Sequence, residues 1–144
     1  MTQDSSLDTV LFTGTHPCRL DSKGRMSVLK PFLDVYLERN NVHRPVLFLS
    51  AGERHGVLAV NMFDPLYRDA NKDKDNEQLY RCFIDEQKRI VVPKPLIDYA
   101  DLRSDVVISA TDEGDHLCLY NALAIEKAEI LVRKAAAEQV RKVA

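Results

Sequence analysis

Two arginines, Arg25 and Arg89, are the residues of this chain whose type and spacing best suit them to chemistry. Each stands four residues after an aspartate, Asp21 or Asp85, and each opens a run rich in apolar and β-branched residues. A guanidinium presented at such a junction offers a planar fork of donors that matches phosphate oxygens or the edge of a guanine. Arg19, Lys23 and Lys30 flank the first arginine and Lys88 precedes the second. Such cations add phosphate contacts, which position a protein without reading sequence. The aspartates admit a second role. Across a tight turn each can pair with its own arginine or with another subunit, and an aspartate that orients its arginine serves both purposes.

The two arginines recur because their segment recurs. Cys18–Asp34 aligns with Cys82–Asp98 without a gap, and seven of the seventeen positions are identical: Cys18/Cys82, Asp21/Asp85, Arg25/Arg89, Val28/Val92, Lys30/Lys94, Pro31/Pro95 and Asp34/Asp98. Leu20/Ile84, Met26/Ile90 and Phe32/Leu96 keep their character. Self-similarity of this kind marks a repeated structural unit. The spacing implies a first unit over 11–70, a linker over 71–77 and a second unit over 78–144.

The elements that must carry these residues follow from local chemistry. Gly14 and Pro17 interrupt Leu11–Leu20, which fits an edge or bulged strand. Asp21–Gly24 is a turn: Asp bonds its downstream backbone and Gly24 supplies positive φ. Arg25 then begins a strand to Leu29, so that the two runs form a hairpin or a strand-turn-strand. Pro31 suits the first turn of a helix whose apolar stripe is Phe32, Leu33, Tyr36 and Leu37, ending near Asn40. Val46–Ser50 and Val57–Asn61 read as a hairpin around a turn over Ala51–Gly56, and Asp64 caps a short helix starting at Pro65. The second unit repeats the order: Leu79–Ile84, a turn at Asp85–Lys88, Arg89–Val92, a helix over Lys94–Ala100, then Val106–Ala110 and Leu117–Tyr120 around Thr111–Asp115. The chain is therefore α+β and β-rich. A long last helix begins at the cap Asn121, with Arg141 and Lys142 at its negative end. Its stripe of Ile125, Ala128, Val132, Ala136, Val140 and Val143 either packs on its own domain or forms a seam with another subunit.

The 144 residues are 45% hydrophobic and 29% charged, an ordinary balance for a globular domain. No apolar run is long enough to span a bilayer, and Met1–Ser6 shows no signal peptide, so a cytoplasmic protein is expected. Residues 1–10 read as a polar lead-in. Net charge is −2, with a sequence pI near 6.1, which disfavours binding nucleic acid through bulk charge. The local pattern differs. Between His16 and Leu33, four cations face only Asp21; between Arg81 and Leu96, four face Asp85 and Glu86.

Catalysis finds little support. His16, His43, His55 and His116 are scattered, Cys18, Cys82 and Cys118 have no zinc or redox spacing, and neither a Walker loop nor a dinucleotide fingerprint occurs. Asp112–Asp115 lacks the ligand pattern of a calcium loop. We expect no enzyme, no metal and no cofactor.

Leu20-Asp-Ser-Lys-Gly-Arg-Met-Ser-Val28 and Ile84-Asp-Glu-Gln-Lys-Arg-Ile-Val-Val-Pro93, followed by Leu96-Ile-Asp-Tyr-Ala-Asp-Leu102, resemble the MraZ family, bacterial regulators with two tandem AbrB/SpoVT-type units. The resemblance spans about Phe12 to Glu129. It implies swapped-hairpin units interleaved in one pseudo-symmetric body, and a ring-shaped homo-oligomer. It also implies a nucleoid-associated repressor that binds double-stranded DNA at direct repeats upstream of the division and cell-wall genes, its own upstream region. Asp21 and Arg25, with Asp85 and Arg89, would be the motif residues. The sequence departs from the family at Val28-Leu29, where Ile/Val-Pro is favoured, at Leu33, where Arg is usual, and at Lys88, where Gly is common. An antitoxin-like or sporulation-type protein-interaction module is the alternative that the same fold would allow.

Overall fold

The structure, a computed structural model, describes residues 10–71 and 78–143, the side chains of 141–143 excepted. The expected linker beyond Asn71, the lead-in before Val10 and the side chains of Arg141, Lys142 and Val143 lie outside the described residues. In chain order the elements are β1 (Thr15–Arg19), β2 (Arg25–Ser27), α1 (Lys30–Arg39), β3 (Val46–Arg54), β4 (Val57–Phe63), α2 (Pro65–Ala70), β5 (Tyr80–Phe83), β6 (Arg89–Val91), α3 (Lys94–Tyr99), β7 (Asp105–Ala110), β8 (Leu117–Asn121) and α4 (Ala122–Val143). The chain is α+β and strand-rich, as its pattern predicts.

Six strands form one antiparallel sheet in the order β1-β7-β8-β4-β3-β5, and β2 pairs with β6 in a separate two-stranded ribbon. Exchanging each strand for its repeat mate reverses this order and leaves it otherwise unchanged. Of the two expected arrangements, the local hairpin is excluded and the strand-turn-strand is the one formed. β1 pairs with β7 and β2 with β6, each in the other half of the chain. Only the turn closes locally, with Asp21 N–H donating to Arg25 O at 2.9 Å. The three-residue β2 is too short to hold β1 in register, whereas β7 offers β1 five paired residues.

β1 and β5 are the sheet edges, so Gly14 and Pro17 mark an edge strand. The backbone of Gly14 faces β7, since its carbonyl accepts from Ala110 N–H. Alternation then turns Pro17 outward, where its missing donor blunts the edge. The first hairpin corrects another expectation. Its turn is not Ala51–Gly56 but the pair His55-Gly56, with φ of 54° and 78°. Positive φ at both central residues is the two-residue type I′ turn whose twist matches its strands, so β3 runs on to Arg54.

The main core lies on one face of the sheet. Leu47, Leu49, Val60, Met62, Ile108 and Leu119 meet Phe32 and Tyr36 of α1, Leu96 of α3, and Met26 and Ile90 from the underside of the ribbon. The hydroxyl of Tyr36 donates to Val46 O at 3.0 Å and accepts from Val46 N–H at 2.8 Å, which fixes α1 to the start of β3. On the other face Ala59, Cys118 and Tyr120 meet Ile125 of α4. That contact is short. Ile125 is buried and Ala128 half-buried, but every residue from Glu129 to Gln139 is exposed, as is Val140. Only the start of the apolar stripe of α4, Ile125 and Ala128, packs on its own domain; Val132, Ala136 and Val140 overhang.

A buried ion pair of the first unit anchors a bond to the second. Arg39 Nε donates to Asp64 Oδ2 at 2.6 Å, with the side chains 2% and 0% exposed. Asn40 Nδ2 donates to the same oxygen, Asp64 Oδ1 caps α2 through Tyr67 N–H, and Arg39 also donates to Asp115 O across the repeat boundary. A buried carboxylate is tolerated only when its lone pairs are met in this way.

Candidate nucleic-acid interface

Asp21 builds the first motif turn. Its Oδ1 accepts from Lys23 N–H and Arg25 N–H, each at 2.9 Å, and its Oδ2 accepts from Arg25 Nε at 2.7 Å. These bonds, that from the Arg25 backbone foremost, hold the Asp21 carboxyl below the usual carboxylate range. Asp85 repeats the backbone pattern, accepting from Gln87 N–H at 2.8 Å and Arg89 N–H at 2.9 Å. The Asp-x-x-x-Arg spacing is thus a turn device: Asp supplies the acceptors and Arg arrives where the outgoing strand begins.

The two turns differ in their fourth residue. Gly24 has φ of 80° and is buried; a Cβ there would stand 3.0 Å from Val92 O and 3.2 Å from Ile97 Cδ1. Lys88 takes the equivalent place at φ of 63° and is exposed. Both carbonyls extend the ribbon, Gly24 O accepting from Val92 N–H at 2.7 Å and Lys88 O from Val28 N–H at 2.8 Å.

The ribbon register pairs Arg25 with Val91, Met26 with Ile90 and Ser27 with Arg89. Directly opposed residues share a face, so Arg25, Ser27, Arg89 and Val91 point outward while Met26 and Ile90 enter the core. The motif arginines of the two repeats therefore lie diagonally on one outward face. Arg25 is 37% exposed and ion-paired through Nε. Among the described residues nothing else bonds its guanidinium, so its terminal nitrogens remain available. Arg89 sits less firmly: Nε is 3.9 Å from Asp85 Oδ2 without a hydrogen-bond partner, and Nη2 donates to Gln87 Oε1.

A groove of about 430 Å³ beside this face is lined by Arg19, Ser22, Arg25, Ser27, Arg89 and Ser104, among others. Arg19 reaches it from the end of β1, where it also lies 3.7 Å from Asp105. Of the residues singled out in the sequence, Arg19, Arg25 and Arg89 are brought together, with Asp21. The rest are not. Lys23 lies on the turn outside the groove, and Lys30 starts α1 and pairs with Asp34 at 2.9 Å. Lys88 lines a separate groove of about 220 Å³ with Leu33, Leu37 and Pro45. Ser27 and Ser104 escaped the sequence reading. Ser27 was visible as the residue two beyond Arg25 on a strand; Ser104 reaches the site only because β7 pairs with β1.

No family model matches this chain, and no curated protein is similar to it.

The other candidate groups sit elsewhere. Burial pushes the Cys82 thiol up to about 11 and raises Cys118 as well, which suits small apolar packing groups and not nucleophiles. Among the described residues no three metal-ligating side chains cluster, and no helix is long and apolar enough to cross a membrane.

Proposed function

We propose that this chain is a sequence-specific DNA-binding transcriptional repressor of the kind its motifs resemble, the MraZ type. Its two AbrB/SpoVT-like units form one interleaved body, and a homo-oligomeric ring of such bodies binds direct repeats in its own upstream region within the cytoplasmic nucleoid. The observation that carries the reading is the shared outward face of Arg25 and Arg89 on a two-stranded ribbon. A two-stranded ribbon fits the major groove, where a free guanidinium edge reads guanine O6 and N7 bidentately. Arg19 and Lys23 flank the ribbon and supply phosphate contacts. The cross-pairing of β2 with β6 supports the interleaved arrangement, because neither repeat makes the ribbon alone.

One subunit offers few cations against a net charge of −2. A ring repeats the face at fixed spacing and multiplies weak contacts by effective concentration. Subunits related by rotation suit direct repeats. The overhang of α4, with Leu131, Val132 and Val140 exposed, is apolar surface available to neighbouring subunits.

Titration against the upstream fragment at rising salt tests the reading. Affinity falls steeply with salt through counterion release, and Arg25→Ala costs about 1–3 kcal/mol per contacted site while the oligomer persists. Undiminished binding by Arg25→Ala, with light scattering unchanged, refutes the site. A chain that scatters as a monomer or simple dimer at micromolar concentration refutes the ring. The same exposed helix favours the second reading, a protein-interaction module, which gains if no upstream fragment binds at moderate salt.

A further inference from the structure

Ser27 is the hydroxyl that the ribbon puts among the arginines. It is exposed, its hydroxyl meets no hydrogen-bond partner among the described residues, and its register partner is Arg89. Arg25 lies two residues before it on the same face, and Arg19 lines the same groove. Directly opposed residues on one face hold their Cβ atoms about 4.5–5.5 Å apart. A group three bonds beyond the Ser27 Cβ therefore falls within reach of both guanidinium groups. The equivalent position in the second repeat is Val91, which has no hydroxyl.

We propose that Ser27 is a phosphorylation site, and that Arg25 and Arg89 clamp its phosphate and so withdraw this face from anionic partners. A protein kinase supplies the nucleoside triphosphate. Ser27 Oγ attacks the γ-phosphorus, the Oγ–P bond forms as the bond to the bridging β–γ oxygen breaks, and the nucleoside diphosphate leaves. The hydroxyl proton goes to the kinase's base. The product carries nearly two negative charges and three acceptor oxygens, which match two guanidinium forks. Asp21 already holds Nε of Arg25, so the phosphate meets its terminal nitrogens, the same groups proposed to meet DNA. Ser22 and Ser104 line the groove too, but Ser22 sits on the turn and Ser104 precedes β7, and neither is opposed to an arginine in a ladder.

The loss of DNA binding rests on the proposed function; the clamp does not. The test therefore has two arms on the full chain carrying phosphoserine introduced at position 27 by genetic encoding. In the first, phosphorus NMR follows the phosphate across pH. Its second pKa, about 6 when free, moves down, and Arg25→Gln or Arg89→Gln returns it toward that value. In the second, affinity for the upstream fragment drops at least about tenfold, and removal of the phosphate by a phosphatase restores it. A chain that binds no DNA in any form, yet shows the arginine-dependent shift, sinks the repressor reading and leaves the clamp standing. An unshifted phosphate pKa overturns the clamp. Mass spectrometry of the protein isolated from its own cells decides the modification: phosphate on Ser22 or Ser104 instead of Ser27, or none in growing or stationary cells, overturns it.

Discussion

The two repeats share a plan and differ in how each finishes it. Both close the motif turn with the same aspartate-to-backbone bonds, yet the first does so with a buried glycine packed against Ile97, and the second with an exposed lysine held at positive φ. Both follow their hairpin with a capped helix. The first cap, Asp64, is fully buried and salt-bridged to Arg39, whereas the second, Asn121, accepts from Leu123 N–H and Ala124 N–H near the surface. Repeat one is the tightly fitted half. A duplicated sequence can thus keep the chemistry of a turn while its packing cost and exposure drift apart.

The caps give the sharpest way to break that contrast. Asp64→Ala leaves the Arg39 guanidinium buried and unpaired, and should cost about 3–5 kcal/mol in urea unfolding. Asn121→Ala removes a surface cap and should cost about 1 kcal/mol. Equal losses would mean that the burial of the first cap carries no energetic weight. The turns come next. Gly24→Ala should lower stability by about 1–2 kcal/mol for the left-handed backbone alone, with further loss from crowding at Val92 O. Lys88→Gly relieves the same backbone strain and should change stability by less than about 1 kcal/mol. If both substitutions cost the same, the turns are energetically equivalent after all.

Smaller effects appear in pH. His116, in the second hairpin, packs edge-on to Phe63 and beside Tyr67 of the first repeat, and burial holds its imidazole below the usual value near 6.5. Its folded pKa is lowered, so its contribution is complete above the ordinary value of 6.5 and declines as pH falls from there toward the folded pKa. Thermal stability should therefore fall from pH 7 toward pH 5, and His116→Phe should flatten the decline. Asp21, also lowered, acts in a more acidic window: its contribution is present above the ordinary value of 3.8 and fades as pH falls below it. Asp21→Asn keeps an acceptor for the backbone bonds and should blunt that acid loss.

Particular residues show what was legible in the sequence. The repeat, the turns and the outward placement of Arg25 and Arg89 follow from local chemistry, since Asp, Gly and strand alternation act within a few residues. Pro17 and Gly14 marked an edge strand for the same reason. The partner of β2 was not legible: β6, which pairs with it, lies in the other half of the chain, and no local pattern records such a distant partner. Arg19 beside Arg89 follows from that pairing. The Arg39–Asp64 bond was hidden because charged residues so rarely bury completely. The stripe of the last helix was legible as continuous, but the point where its own body ceases to cover it, just past Ala128, depends on the tertiary fold.

The pairing of β1 with β7 has a consequence for how the chain acquires its structure. Thr15 and Ser109, whose hydroxyls meet at 2.8 Å, are 94 residues apart. During synthesis the first strand emerges long before its partner exists, and so does β2 before β6. Closing such loops costs entropy before any contact repays it, which slows folding of topologies rich in distant pairs. Among the described strands of the first half, β3 and β4 alone pair with a sequence neighbour, through a two-residue turn. The arginine-bearing ribbon, by contrast, cannot form until β6 of the second half is present.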